Sequence, residues 1–197
     1  MFLSRNGLLA SQKNRMEMWN NKMTPGKLFE QQFKKSVPSH CYLLRLNDPP
    51  QSFKKSKDTR FSPKNPFDFV LFEPIKQVMM CIELKTTKSK SMSFDDVNIE
   101  EEQNNMIHKH QIEGLTNASE FNNISAGFLL NFRDEKNDME SCYWQDVKDF
   151  NKMVESISKK SFNELDLLTN NAIKVDGTKK RIHYIWDIES LLSKIIK

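Results

Sequence analysis

Two apolar runs, Phe67 to Glu73 (FDFVLFE) and Val78 to Leu84 (VMMCIEL), stand only four residues apart, joined by Pro74-Ile75-Lys76-Gln77. Each is too short for a stable helix and rich in Val, Phe, Ile and Leu, so the pair predicts an antiparallel hairpin with a four-residue connection. If Glu73 and Val78 close that loop, paired positions sum to 151, and Asp68 falls opposite Glu83. Period-two alternation then sets Lys85 on the face that carries Glu83.

Directly opposed residues on one sheet face have Cβ atoms about 5 Å apart. Two carboxylates at that distance repel by about 3 kcal/mol at an effective dielectric near 20. A sheet tolerates this when a cation sits between them, and carboxylate oxygens with water suit Mg²⁺, with Mn²⁺ able to substitute. An Asp/Glu pair with a neighbouring Lys is therefore a candidate metal-dependent phosphodiester-cleaving site: Asp68 and Glu83 as ligands, Lys85 orienting the attacking water and offsetting developing negative charge.

The rest of the chain supplies a frame for this hairpin. Thr24-Pro25-Gly26 reads as a helix start, followed by Leu28, Phe29, Phe33 and Val37 at helical spacing until Pro38. Cys41 to Leu46 reads as a strand. A helix is expected over roughly 100–117, a buried strand at Ile124 to Phe132, and another strand at Glu140 to Val147. Residues 147–170 carry apolar positions at helical spacing, and Ile188, Leu191, Leu192, Ile195 and Ile196 form a closing amphipathic helix. The fold class expected is α/β, a central mixed sheet of about five strands flanked by helices, in one domain over residues 23–197 with a polar arm at 1–22.

Residues 47–66 hold Lys54, Lys55, Lys57, Arg60 and Lys64 against Asp48 and Asp58, with Phe53 and Phe61 interleaved. A stretch of this length without structure signals inside one domain is either functional or a solvated loop. Its cations can neutralise phosphates, and its aromatic rings can stack on bases exposed at a branch point. The chain as a whole carries a net charge of only +4, so composition alone does not argue for a nucleic-acid partner. Three widely spaced cysteines without a CxxC pair fit free thiols and a cytoplasmic setting, and no run approaches the 18 apolar residues of a membrane span.

The segments NPFDFVLF, CIELKTTKSKSMSF and HKHQIEGL together resemble the PD-(D/E)xK nuclease superfamily, and within it the RecU-type Holliday-junction resolvases, over roughly residues 24–196. That resemblance implies a restriction-endonuclease-like core in which Asp68, Glu83 and Lys85 match the catalytic Asp and E-x-K. It matches Glu30 to a first-helix Glu that helps hold the metal or its water, although Lys34 at i+4 equally fits an ordinary helix acid. It sets Gln111 beside the catalytic Lys, Thr86, Thr87 and Lys88 near substrate phosphate, and the 47–66 excursion in the position of a protruding stalk. Pro66 departs from the pattern, being separated from Asp68 by Phe67.

By the same resemblance the substrate is branched DNA, cut by paired symmetric incisions, in a bacterial or phage setting. A homodimer follows from the resemblance together with the two-fold symmetry of a four-way junction. Another nuclease of the same fold, acting in restriction or defence, and a catalytically silent DNA-binding protein are the alternatives. His108 and His110, at i and i+2, are expected to point to different sides as a phosphate-facing or solvated pair rather than as zinc ligands.

Overall fold

The computed structural model describes residues 23–47, 65–101, 103–181 and 183–195. The arm at 1–22 and the five cations of the basic excursion lie outside the described residues. Helix α1 spans Pro25–Ser36, with Thr24 as its N-cap and Pro25 in the first turn. Its buried face carries Phe29, Gln32 and Phe33. Gln32 is matched by a polar partner there: its side-chain oxygen accepts from the Trp186 indole N–H at 3.4 Å, and the Trp186 backbone N–H reaches Ser36 Oγ at 2.9 Å.

Strands β1 (Tyr42–Arg45), β2 (Phe69–Glu73) and β3 (Val78–Thr87) form an antiparallel meander. The hairpin register pairs Glu73 with Val78 and Phe69 with Ile82, as the loop length requires. Glu73 stabilises the connection: it is buried, and its carboxylate accepts from the backbone N–H groups of Ile75 (3.1 Å) and Lys76 (2.7 Å), while Gln77 takes the left-handed conformation that turns the chain back. Glu73→Ala removes two charge-assisted hydrogen bonds that order the exposed turn, and we expect a loss of about 1–3 kcal/mol in a urea-denaturation measurement.

After the short strand β4 (Ser91–Ser93) come helix α2 (Lys109–Ala118) and strand β5 (Ile124–Asp134). Strand β5 pairs parallel to β3, so α2 is the crossover that a parallel pair demands. Strand β6 (Met139–Asp146) returns antiparallel to β5 and leads into helix α3 (Val147–Ser156). Strand β7 (Ser161–Asn163), helix α4 (Glu164–Thr169), strands β8 (Ile173–Val175), β9 (Gly177–Lys179) and β10 (Tyr184–Trp186), and helix α5 (Ile188–Ile195) complete the described chain.

Among the described residues the central sheet is mixed and has six strands, in the order β1-β2-β3-β5-β6-β8. Alternate residues of its inner strands face opposite layers. Leu71, Met80, Ile82 and Leu129 pack with α1 and α5, whereas Cys81, Ala126, Phe128 and Leu130 pack with α2 and α3. Cys41, Cys81 and Cys142 are free thiols. Among the described residues, no helix is long and apolar enough to cross a membrane.

The structure departs from the sequence expectation in several places, among them the short strands β4, β9 and β10, three residues each, which the expectation did not include. The sheet gains β8, three residues long and too short to show a period. The second helix begins at Lys109 rather than near 100, because the preceding chain is pinned to β4: Phe94 bridges Ile107 in parallel, and the N–H of Ile107 bonds Ser93 O at 3.1 Å. The helical spacing over 147–170 is broken by β7, which pairs with β4 and buries Phe162 completely against Met92, before Asn163 caps α4.

Candidate active site

Strand β2 stops at Phe69 while β3 runs on to Thr87, so among the described residues no strand pairs with β3 beyond Ile82 on that side. Asp68 fills the first gap. Its N–H bonds Ile82 O at 3.1 Å, and its Oδ2 accepts from the Leu84 N–H at 2.9 Å, taking the place of the missing strand partner. Asp68 therefore lies just past the last ladder pair and clasps the residue between Glu83 and Lys85.

Burial pushes the Asp68 carboxyl up from the ordinary carboxylate range, and Glu30 adds to the rise, against the Leu84 N–H, Lys85 and Arg45, which favour the charged form. The ionised group thus costs stability above its folded pKa, a cost that fades as pH falls through that value. A cation bound at the carboxylate removes the same cost.

Glu83 is only 3% exposed. Lys85 Nζ stands 3.1 Å from its Oε1, and the Gln111 side-chain amide donates to the same oxygen. Gln111 is itself fixed, since its Oε1 accepts from the His108 N–H at 3.0 Å at the start of α2. Helix α2 is held there by Asp95, whose Oδ2 accepts from the Lys109 N–H at 2.9 Å. Gln111, Glu83 and Lys85 thus meet around one carboxylate oxygen although 28 residues separate Glu83 from Gln111.

Glu30 lies on α1 and holds two cations, Lys34 Nζ at 2.6 Å and Arg45 Nε at 2.9 Å. Its helix partner and the site both claim it, since its charge also acts on Asp68. Among the described residues, no group of three or more His, Cys, Asp or Glu side chains converges to hold a metal. The donors on hand, two carboxylates at the end of a hairpin, are hard oxygens, which fit Mg²⁺ or Mn²⁺ and not a softer ion.

Beyond the E-x-K, Thr86 Oγ1 donates to Asn131 Oδ1 at 2.7 Å and accepts from Arg133 Nε at 3.2 Å. Thr87 Oγ1 accepts from the Ser89 N–H at 3.0 Å, and Lys88 is exposed. His108 and His110 do not point apart: their rings stack with centroids 5.7 Å apart, because His108 is the extended N-cap residue and not part of the helix. His108 Nδ1 lies 3.4 Å from Asp95 Oδ2. Sequence reasoning missed Arg45, Asn131 and Arg133, for which pattern gave no signal, and Gly114, whose place inside a helix was itself one.

No family model matches the chain. The chain is 28% identical over 181 residues to the SPbeta prophage-derived uncharacterized protein YotM of Bacillus subtilis strain 168, covering 87% of each protein. Among solved structures it is similar to Hjc, a Holliday junction resolvase of the archaeal hyperthermophile Archaeoglobus fulgidus, with 12% identity and a TM-score of 0.46, covering 75% of this chain and 93% of that one.

Proposed function

We propose that this protein is a Mg²⁺-dependent endonuclease that cuts branched DNA, with the four-way junction as its preferred substrate and a homodimer as its working form. The observation that carries the reading is the clasp of Asp68 on the N–H of Leu84, the residue between Glu83 and Lys85, which brings a second carboxylate within electrostatic reach of Lys85. The PD-(D/E)xK resemblance of the same segments supports it. Likeness to a prophage protein supports a phage-encoded enzyme acting inside a bacterial cell.

In this reading Asp68 and Glu83 hold Mg²⁺, with Glu30 at the margin of the site. The ion, when bound, supplies charge stabilisation to the phosphoryl oxygens and acidifies water. Lys85 holds the attacking water by hydrogen bonding and balances negative charge that grows on the phosphate. Gln111 keeps the Glu83 carboxylate in one orientation, so that carboxylate and ammonium stay in register. Lys54, Lys55, Lys57, Arg60 and Lys64 would grip the arms of the branch, adding backbone contacts that carry no base code. Thr87 and Lys88 would flank the strand beyond the cut.

The substrate class is tested by incubating the protein and Mg²⁺ with an immobile four-way junction and with a linear duplex of the same sequence. We expect paired nicks on the junction at a rate at least about tenfold above the duplex, one decade of rate being about 1.4 kcal/mol of transition-state preference. Equal cutting of both would assign a general or restriction-type nuclease instead.

A further inference from the structure

A groove of about 550 Å³ runs past the C-terminal end of β3, and Lys85, Thr86, Lys88, Arg133 and the Pro25-Gly26 start of α1 line it. Its charged lining is three cations, Lys85, Lys88 and Arg133, against one carboxylate, Glu135. Thr86 and Arg133 belong to the sheet face opposite Glu83 and Lys85, since residues alternate along β3 and the parallel register sets Thr86 beside Asn131. The groove therefore wraps around the strand end from the E-x-K site to the α1 face.

Arg133 is held there by a hydrogen-bonded chain. Fully buried Asn131 donates its amide N–H groups to Glu140 Oε2 (3.1 Å) and Ser141 O (3.3 Å), and its Oδ1 accepts from the Thr86 hydroxyl. With that proton committed, Thr86 Oγ1 presents a lone pair, and Arg133 Nε donates to it. The Arg133 side chain is only 17% exposed; one terminal nitrogen lies 3.2 Å from Glu135, itself 57% exposed, and Glu140, its cross-strand partner, also acts on it electrostatically. A neutral hydroxyl orients the fork without cancelling its charge, the exposed Glu135 screens it weakly, and Glu140 uses one oxygen to accept from the Asn131 amide.

From this geometry we infer that Arg133 is a phosphate-binding residue, gripping a backbone phosphodiester of the DNA strand that passes the E-x-K site, with Thr86 and Asn131 as positioning residues. A planar, pre-oriented guanidinium matches two phosphate oxygens at once. The groove and its cations extend the contact along the strand beyond the reacting phosphate. This inference rests on the proposed DNA substrate, but not on cleavage.

The test is equilibrium binding of the intact protein to a labelled four-way junction in EDTA, over a series of salt concentrations, with cleavage in Mg²⁺ measured separately. Arg133→Ala is expected to weaken binding roughly tenfold and to lower the slope of log K against log salt by about 1. Arg133→Lys keeps the slope and loses part of the affinity, and Thr86→Val weakens binding with the slope unchanged. Where Arg133→Ala melts early, Arg133→Gln keeps a donor for Thr86 and removes the charge, and the same fall in slope is expected.

A folded Arg133→Ala or Arg133→Gln variant with the wild-type salt slope would overturn the inference, even if the wild type cuts junctions. A fall in slope with no cleavage by the wild type would uphold it and sink the nuclease reading. A wild type that binds no DNA would end both.

Discussion

Asp68→Asn should lower the rate of Mg²⁺-dependent strand cleavage by at least about 10³-fold, because in the proposed reaction the change removes a metal ligand and with it several kcal/mol of transition-state stabilisation. The same change should leave the fold intact. Asparagine keeps an oxygen for the Leu84 N–H, and it removes a charge that burial disfavours. The metal-free variant should therefore melt no lower than the wild type at neutral pH, with its advantage shrinking as pH falls and Asp68 of the wild type takes up a proton. Added Mg²⁺ should raise the melting temperature of the wild type and not that of the variant, since an ion that binds only the native state stabilises it by mass action. A variant that melts alike but still cuts within tenfold of the wild type would remove Asp68 from the chemistry.

Gly114→Ala carries the second large effect. A Cβ built at Gly114 meets Pro66 Cβ at 2.4 Å, its Cα at 3.0 Å and its carbonyl oxygen at 3.1 Å. Two of these neighbours are backbone, so no side chain can swing aside. Alanine improves helix propensity by about 1 kcal/mol, yet overpacking typically costs about 1–3 kcal/mol and more where the backbone must move. The clash wins, and we expect the melting temperature to fall by several degrees. The activity loss should be larger than the stability loss. Pro66 lies two residues before Asp68, and Gln111 lies one turn before Gly114, so pushing the helix off this segment separates the two arms of the site. A displacement near 1 Å costs about 10²-fold in rate. Thermal melts and single-turnover cleavage of the same variant check both halves, and a variant that melts higher and cuts normally would contradict the packing described.

The hairpin was legible in the sequence because its information is local. A four-residue loop between two strands leaves one register, and period two carries that register out to Glu83 and Lys85. The same extrapolation overshoots slightly at Asp68, where the ladder has ended and the carboxylate turns to the Leu84 N–H. The start of α2 was not legible. The acidic stretch from Asp95 to Glu102 has helix-forming residues, but the β4 contacts of Phe94 and Ile107 override propensity, and only tertiary structure holds that information. The Asn131–Thr86–Arg133 chain was hidden for a related reason. Asn131 sits within ISAGFLLNF, which reads as a uniformly buried strand, and its partner Thr86 is 45 residues away across a parallel pair. Sequence pattern shows which residues a strand buries, and it does not show which buried polar groups meet.

The hairpin end carrying Asp68, Glu83 and Lys85 is proposed to hydrolyse DNA with a divalent cation. The most direct measurement is nicking of an end-labelled four-way junction by the wild type and by Lys85→Ala, each with Mg²⁺ and with EDTA. We expect paired nicks from the wild type with Mg²⁺, none with EDTA, and none from Lys85→Ala, which should still bind the junction. Nicking that survives EDTA, or that Lys85→Ala retains in full, would contradict the account.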